Sequence, residues 1–556
     1  MFGRNRGHGL MFLLALVSLF SVLAIALGMT APVLADKSTE AAPDFPPDAG
    51  QDWKKASQWL GDQIEIKRKE AKLSPAKPCT DAEFCRRAYL DIIGTLPTRQ
   101  EAREFIARPA KTDRKAPTKR EALIEELLAR PEYAENWARV WQRILTGPNA
   151  DYNGAVLLQT HLRKSFAQNA PWDELTTELL TATGRSDGNA AIGFMMYFDN
   201  NNANVAGIVS KVFMGQQIQC AQCHNHPYEK WTMDDFAGMQ HFFALTRSRR
   251  IQEPKKGIPE IWDVTESAVP KNLEALKQAV SGENKPLLPK YLGGAEYALD
   301  GDAKLRQSFA KWMTAPGNKW YREMAVNRYM QLLLGVGFVT PVDDFNSLSK
   351  PTFPEILDRM GKEFAGSGFD LKFLIRTICN SELYTLSSVP ARKTKEDRVY
   401  FSHALIRRLM PEQMVFALMT ATDVDGSGDR HDARKAEAYK RELLRHFNYA
   451  YSDDETARDV DDYSGSIPQA LLIMNGALMA TATDGKAKNT VQQVLKEKGE
   501  FNARLEELYL ATLSRFPTEN ESARCKDLIQ KSDNEVQAWE DIFWALLNCT
   551  EFSTNH

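Results

Sequence analysis

The chain has 556 residues, with 43% hydrophobic side chains and a net charge of -3 from 70 basic and 73 acidic groups. These are the proportions of an ordinary globular protein with material for roughly two to four domains, not of a disordered chain. The net charge speaks against nucleic acid as a partner, since phosphate binding wants a clustered basic excess, and seven cysteines are too few to build a fold of this size from disulfides.

The chain opens with Arg4 and Arg6, runs apolar from Leu10 to Leu27 and turns polar at Asp36. This is the order of a secretory signal peptide over residues 1–35, with Val33 and Ala35 as the small residues before a cut at Asp36. An uncleaved anchor is the alternative, and only then is the membrane a partner. Either way the body is expected outside the cytoplasm, in the periplasm or at the cell surface. Residues 36–51, rich in Pro, Ala and Asp, read as a flexible leader.

From residue 52 to 250 helical signals repeat. Thr80 with Glu83, Thr98 with Glu101 and Thr118 with Glu121 have capping-box spacing, and Gly94 is a stop. Leu123, Leu127 and Leu128, then Tyr133, Trp137 and Trp141, recur every three or four residues and predict a buried face. Strand-like alternation is scarce, so the fold is expected to be mostly α. Arg247, Arg249, Arg250, Lys255 and Lys256 read as a solvated run. Pro254, Pro259, Pro270, Pro286 and Pro289, with Gly293 and Gly294, mark 251–303 as a linker between two helical domains, the second spanning 304–556.

Within the first domain stands Cys220-Ala-Gln-Cys223-His224, the spacing of covalent haem attachment. Two thioethers would fix the ring against a short turn of backbone, and the adjacent imidazole of His224 would bind the iron. The alternatives are zinc held by the two thiols with His224, His226 and His241, and a plain or redox-active disulfide. Pairs such as Cys79–Cys85 or Cys525–Cys549 are also open in an oxidising compartment. A sixth ligand to the iron is poorly specified. Thr232 with Asp235 caps a helix that carries Met239 and His241. Met239 shares the apolar stripe of Phe236 and Phe243, His241 lies off it, and His226 is two residues from His224.

Asp423, Asp425 and Ser427, with Gly428, resemble the start of a calcium loop, but Arg434 stands where the closing carboxylate belongs, so a polar loop is expected. The acidic stretch from Asp453 to Asp462 reads as solvated. No nucleophile elbow, phosphate loop or zinc-protease motif occurs.

The stretches FCRRAYLDIIGTLPTRQEAREF, ENWARVW and VFMGQQIQCAQCHNHPYEKWTMDDFAGMQHFFA resemble the first domain of a planctomycete-type, cytochrome-c-associated family. AVNRYMQLLLGVGFVTPVDDF, PEILDRMGKEFAGSGFDLKFLIRTICNSELYTLSS, SIPQALLIMNG and LYLATLSRFPT resemble its partner domain. The resemblance, to a PSCyt-two-like domain followed by a PSD-one-like domain, covers about residues 52–552. It implies the domain map and an exported location, and supplies no reaction or catalytic residue. Asn327, Arg328, Asp343 and Asp344 lie in its second-domain motifs and read as packing and capping residues. The leading expectation is an exported haem c protein that transfers electrons to a redox partner protein or binds a small ligand at iron. The other is a non-haem exported scaffold with a zinc or disulfide cluster that binds a polysaccharide or cell-surface partner.

Overall fold

The computed structural model describes residues 45, 48–109, 116–147, 153–255, 260–281, 287–298, 304–391, 397–424, 433–450, 479, 483–484, 488–497 and 499–556. The signal-peptide segment, most of the leader, residues 425–432 of the calcium-like loop and the acidic stretch 453–462 lie outside them.

The elements, in chain order, begin with α1 (Trp53–Glu70), α2 (Asp81–Ile92), α3 (Arg99–Ala107), α4 (Lys119–Ala129), α5 (Pro131–Thr146), α6 (Asn153–Ala167) and α7 (Trp172–Thr181). Strand β1 (Gly184–Arg185), α8 (Gly193–Tyr197), α9 (Asn202–Met214), α10 (Met233–His241), β2 (Thr246–Gln252), β3 (Ile261–Glu266) and α11 (Leu273–Ser281) follow. Then come α12 (Leu305–Met313), α13 (Lys319–Leu334), α14 (Pro354–Gly366), α15 (Leu371–Cys379), β4 (Arg407–Arg408), α16 (Pro411–Thr422) and α17 (Ala433–Ala450). The last are α18 (Thr490–Lys496), α19 (Phe501–Leu513), α20 (Glu519–Lys531), α21 (Glu535–Leu547) and β5 (Thr554–Asn555). The protein is mostly α, about 59% helical. No helix among the described residues is long and apolar enough to cross a membrane.

Local chemistry sets the helix starts. Thr98 with Glu101 and Thr118 with Glu121 close reciprocal capping boxes at α3 and α4. Thr80 caps α2 through Glu83 N–H, but the Glu83 carboxylate turns instead to Arg87 and to Ser388 N–H. Gly94 ends that helix region at φ +75°, where a Cβ would lie 2.3 Å from the Asn136 side chain. The expected apolar face is buried: Leu123, Leu127, Leu128, Tyr133, Trp137 and Trp141 all lie in the core. Trp137 stacks on Tyr329 at 4.7 Å, and Trp141 Nε1 donates to the Tyr329 hydroxyl at 3.1 Å.

The stretch 251–303, expected to be a linker, is docked in its described part. β3 is the middle of an antiparallel sheet ordered β1–β3–β2, with Thr246 opposite Glu266 and Gly184 opposite Val264. Leu276, Val280, Leu288, Leu292 and Tyr297 enter the same core as the helices before them. Pro254, Pro270 and Pro289 fall outside the regular elements, so they punctuate the segment without undocking it. Arg247, Arg249 and Arg250 are exposed, as a solvated run should be, but they belong to strand β2 and not to a linker. The inward positions of β2 are Thr246 and Ser248, so its period of two carries no apolar signal.

The division between cores also falls elsewhere than the linker. One core runs from Leu60 to Leu405 and draws on both helical halves. The second gathers Leu409 to Phe552 and adds Leu90 and Leu96. α2 serves both, giving Phe84, Ala88 and Ile92 to the first and Leu90 to the second. Its Arg86 donates to the carbonyls of Thr512, Phe552 and Thr554.

Candidate functional site

The Cys220–His224 segment is set down by α9. That helix ends at Gly215, φ +66°, where a Cβ would stand 2.4 Å from the Phe345 ring. Only glycine fits this close approach with that backbone. Gly215 O accepts from Phe345 N–H at 2.8 Å, and the Gln216 amide donates to Phe345 O at 3.3 Å. The chain then folds back on α9: at Gly207 a Cβ would meet the Gln219 side chain at 2.9 Å.

Residues Gln219–Gln222 form one 3₁₀ turn. Ile218 and Ala221 are buried and pin it, whereas Cys220, Cys223 and His224 face water. His224 Nδ1 lies 2.8 Å from Asn225 O. A carbonyl can only accept, so Nδ1 carries the proton and Nε2 keeps a free lone pair. Asn225 is itself tied down, because its Oδ1 accepts from Met233 N–H at the start of α10.

The other candidate ligands do not converge on His224. His226 Nδ1 accepts from Tyr228 N–H at 3.3 Å and Glu229 N–H at 3.0 Å, and the His226 backbone N–H donates to Trp231 O. It closes a turn. Met239 is wholly buried in the core. His241 is buried with Nδ1 unpartnered among the described residues, and burial holds its pKa below the usual histidine value. Among the described residues no group of three His, Cys, Asp or Glu side chains is placed to hold a metal ion. All seven cysteines are free thiols, including Cys79, Cys85, Cys525 and Cys549.

The second half of the chain borders the turn. Glu229 Oε1 accepts from Ser347 N–H at 2.7 Å, and the hydrogen bonds from Ser347 hold its carboxyl below the usual range. Trp231 meets the edge of Trp320 on α13 at 6.1 Å. Asp343 pairs with Arg328 at 3.3 Å and Lys211 at 3.7 Å, while Asp344 N–H donates to Pro341 O. Asn327, fully buried, donates to Val339 O and Val342 O and accepts from Val339 N–H. These residues shape the loop that carries Phe345, as packing and capping residues do. Sequence reasoning missed Asn225, Glu229, Phe345 and Ser347; the Met214–Gly215 stop was the available hint. It also missed Glu323 on α13, whose burial raises its carboxyl pKa to about 7, with Lys319 Nζ 3.6 Å away.

Two family models match in tandem. The PSCyt2 model, a protein of unknown function (DUF1549), matches residues 61–248, and the PSD1 model, a protein of unknown function (DUF1553), matches residues 305–529. The chain belongs to this two-domain family. No curated protein and no solved structure matches it. In family terms, the Cys220–His224 turn lies in the PSCyt2 part, and the Phe345 loop that borders it lies in the PSD1 part.

Proposed function

We propose that Cys220, Cys223 and His224 form a covalent attachment site for haem c in an exported protein, which transfers electrons or binds a small ligand at iron. The observation that carries this reading is the donor set: two exposed thiols on one pinned turn, followed by an imidazole whose Nε2 is free. These residues fit the group. The thiols would add to its vinyl groups and His224 would bind the iron, and the bound haem would supply redox or small-ligand chemistry. Asn225 O holds the imidazole in the tautomer that binding needs. His226 closes a turn and Met239 lies in the core, so neither stands ready as a further ligand to the iron. The Arg4, Arg6 and Leu10–Leu27 pattern supports export to the compartment where such attachment occurs.

The test is an in-gel haem stain and a Soret spectrum on protein made with a haem-attachment system. Wild type should stain, Cys220→Ala should stain weakly through one remaining thioether, and His224→Ala should lose about tenfold or more of the signal. An unstained wild type containing zinc would replace this reading with the metal-site alternative. An unstained, metal-free protein with Cys220 and Cys223 oxidised together would replace it with the disulfide.

A further inference from the structure

A cleft of about 360 Å³ opens between α1, the start of α4 and the chain following α15. That volume lies at the lower end of small-molecule sites, which run about 300–1,000 Å³. One face of α1 forms its wall: Trp53, Ser57, Gln58, Gly61 and Asp62 recur at helical spacing. Asn380 faces them across the cleft.

The charged groups at the rim are already engaged. Lys54 pairs with Glu121 at 2.8 Å, Arg120 with Asp81 at 3.0 Å, and Glu382 with Arg68 at 3.1 Å. Ser57, Gln58 and Asp62, by contrast, have no side-chain partner among the described residues, and Asn380 uses only its amide N–H, toward Arg376 O. The uncommitted set is thus a hydroxyl, an amide, a carboxylate and a carbonyl oxygen beside an indole. It holds donors and acceptors but, among the described residues, no free cation, which disfavours phosphate or any other anion.

Gly61 points the same way. A glycine inside a helix costs about 1 kcal/mol against alanine, yet a Cβ here would meet Glu382 only at 3.6 Å, an ordinary contact. Packing does not require glycine at this position. Gly61 lines the cleft, and a bulky side chain there would fill it.

We infer that this cleft binds a neutral saccharide of one or two rings. Sugar hydroxyls would donate to Asp62 and the Asn380 oxygen and accept from the Gln58 amide and the Ser57 hydroxyl, with Trp53 as the apolar wall. The site is independent of the haem reading.

The experiment is saturation-transfer-difference NMR and calorimetry on the full exported protein, with cellobiose, maltose and N,N'-diacetylchitobiose as probes. At least one should bind saturably. Asp62→Ala and Gln58→Ala should each weaken it about tenfold, and Gly61→Leu should abolish it while the melting temperature shows that the fold persists. His224→Ala should bind as wild type does, which separates this site from the haem turn. Failure of all three probes to saturate below roughly 10 mM, or binding unchanged in Gly61→Leu, would overturn the inference.

Discussion

The two halves of the chain meet at two seams of opposite character. At the first, Gly215 O, the Gln216 amide and the Glu229 carboxylate meet backbone groups of Phe345 and Ser347, and the nearby thiols and imidazole face water. At the second, Asp91 is buried and accepts from Tyr384, Arg407 and Asn555, each at 2.8 Å. A polar group whose bonding capacity is used inside the protein holds shape. One left unused at a surface, on a turn pinned from beneath, is available for chemistry.

Substitutions can break this contrast. The largest effect is expected for Asp91→Ala, which takes the carboxylate from Arg407 and from two further donors. A loss of about 3–5 kcal/mol should appear in urea unfolding, whereas His224→Ala should change stability by less than about 0.5 kcal/mol. Equal losses in both variants would erase the distinction. Met239→Ala, deep in the core, should cost about 2–5 kcal/mol yet leave haem stain per folded molecule unchanged. A lost stain in the folded variant would make Met239 part of the attachment site.

The smallest effect is pH-dependent. Burial raises the Glu323 carboxyl to about 7, above its unfolded value, so the folded state holds the extra proton between the two. Stability from this group is therefore fully present below the unfolded value and is lost as pH rises through about 7. Glu323→Gln should remove that slope, worth up to about 3 kcal/mol, when wild type and variant are compared by unfolding at about pH 5 and about pH 8. Parallel curves would show that Glu323 does not titrate there.

Helices were legible where their signals are local. The Thr98, Thr118 and Thr232 caps and the Trp137–Trp141 face needed only neighbours in sequence. The β2 strand was not, because Thr246 and Ser248 face inward where apolar residues are expected. The docking of the described part of 251–303 was hidden too, since Leu276, Leu288 and Tyr297 find their partners only in the folded core. At the candidate site the Cys220–His224 spacing was plain in the sequence. What surrounds it was not, because Phe345 and Ser347 arrive from over a hundred residues away. The uncommitted face of α1 carries no motif at all.

The bond between Asp91 and Asn555 spans 464 residues, and this distance is also an interval of time. At about 5–20 residues per second of synthesis, Asp91 emerges roughly tens of seconds before Asn555 exists. Through that interval α2 must wait with Asp91, Arg86 and Leu90 lacking partners from the chain's last elements. Until those last elements are made, the contacts of Arg86 and the Asn555 bond of Asp91 cannot form, and this seam is the last to close.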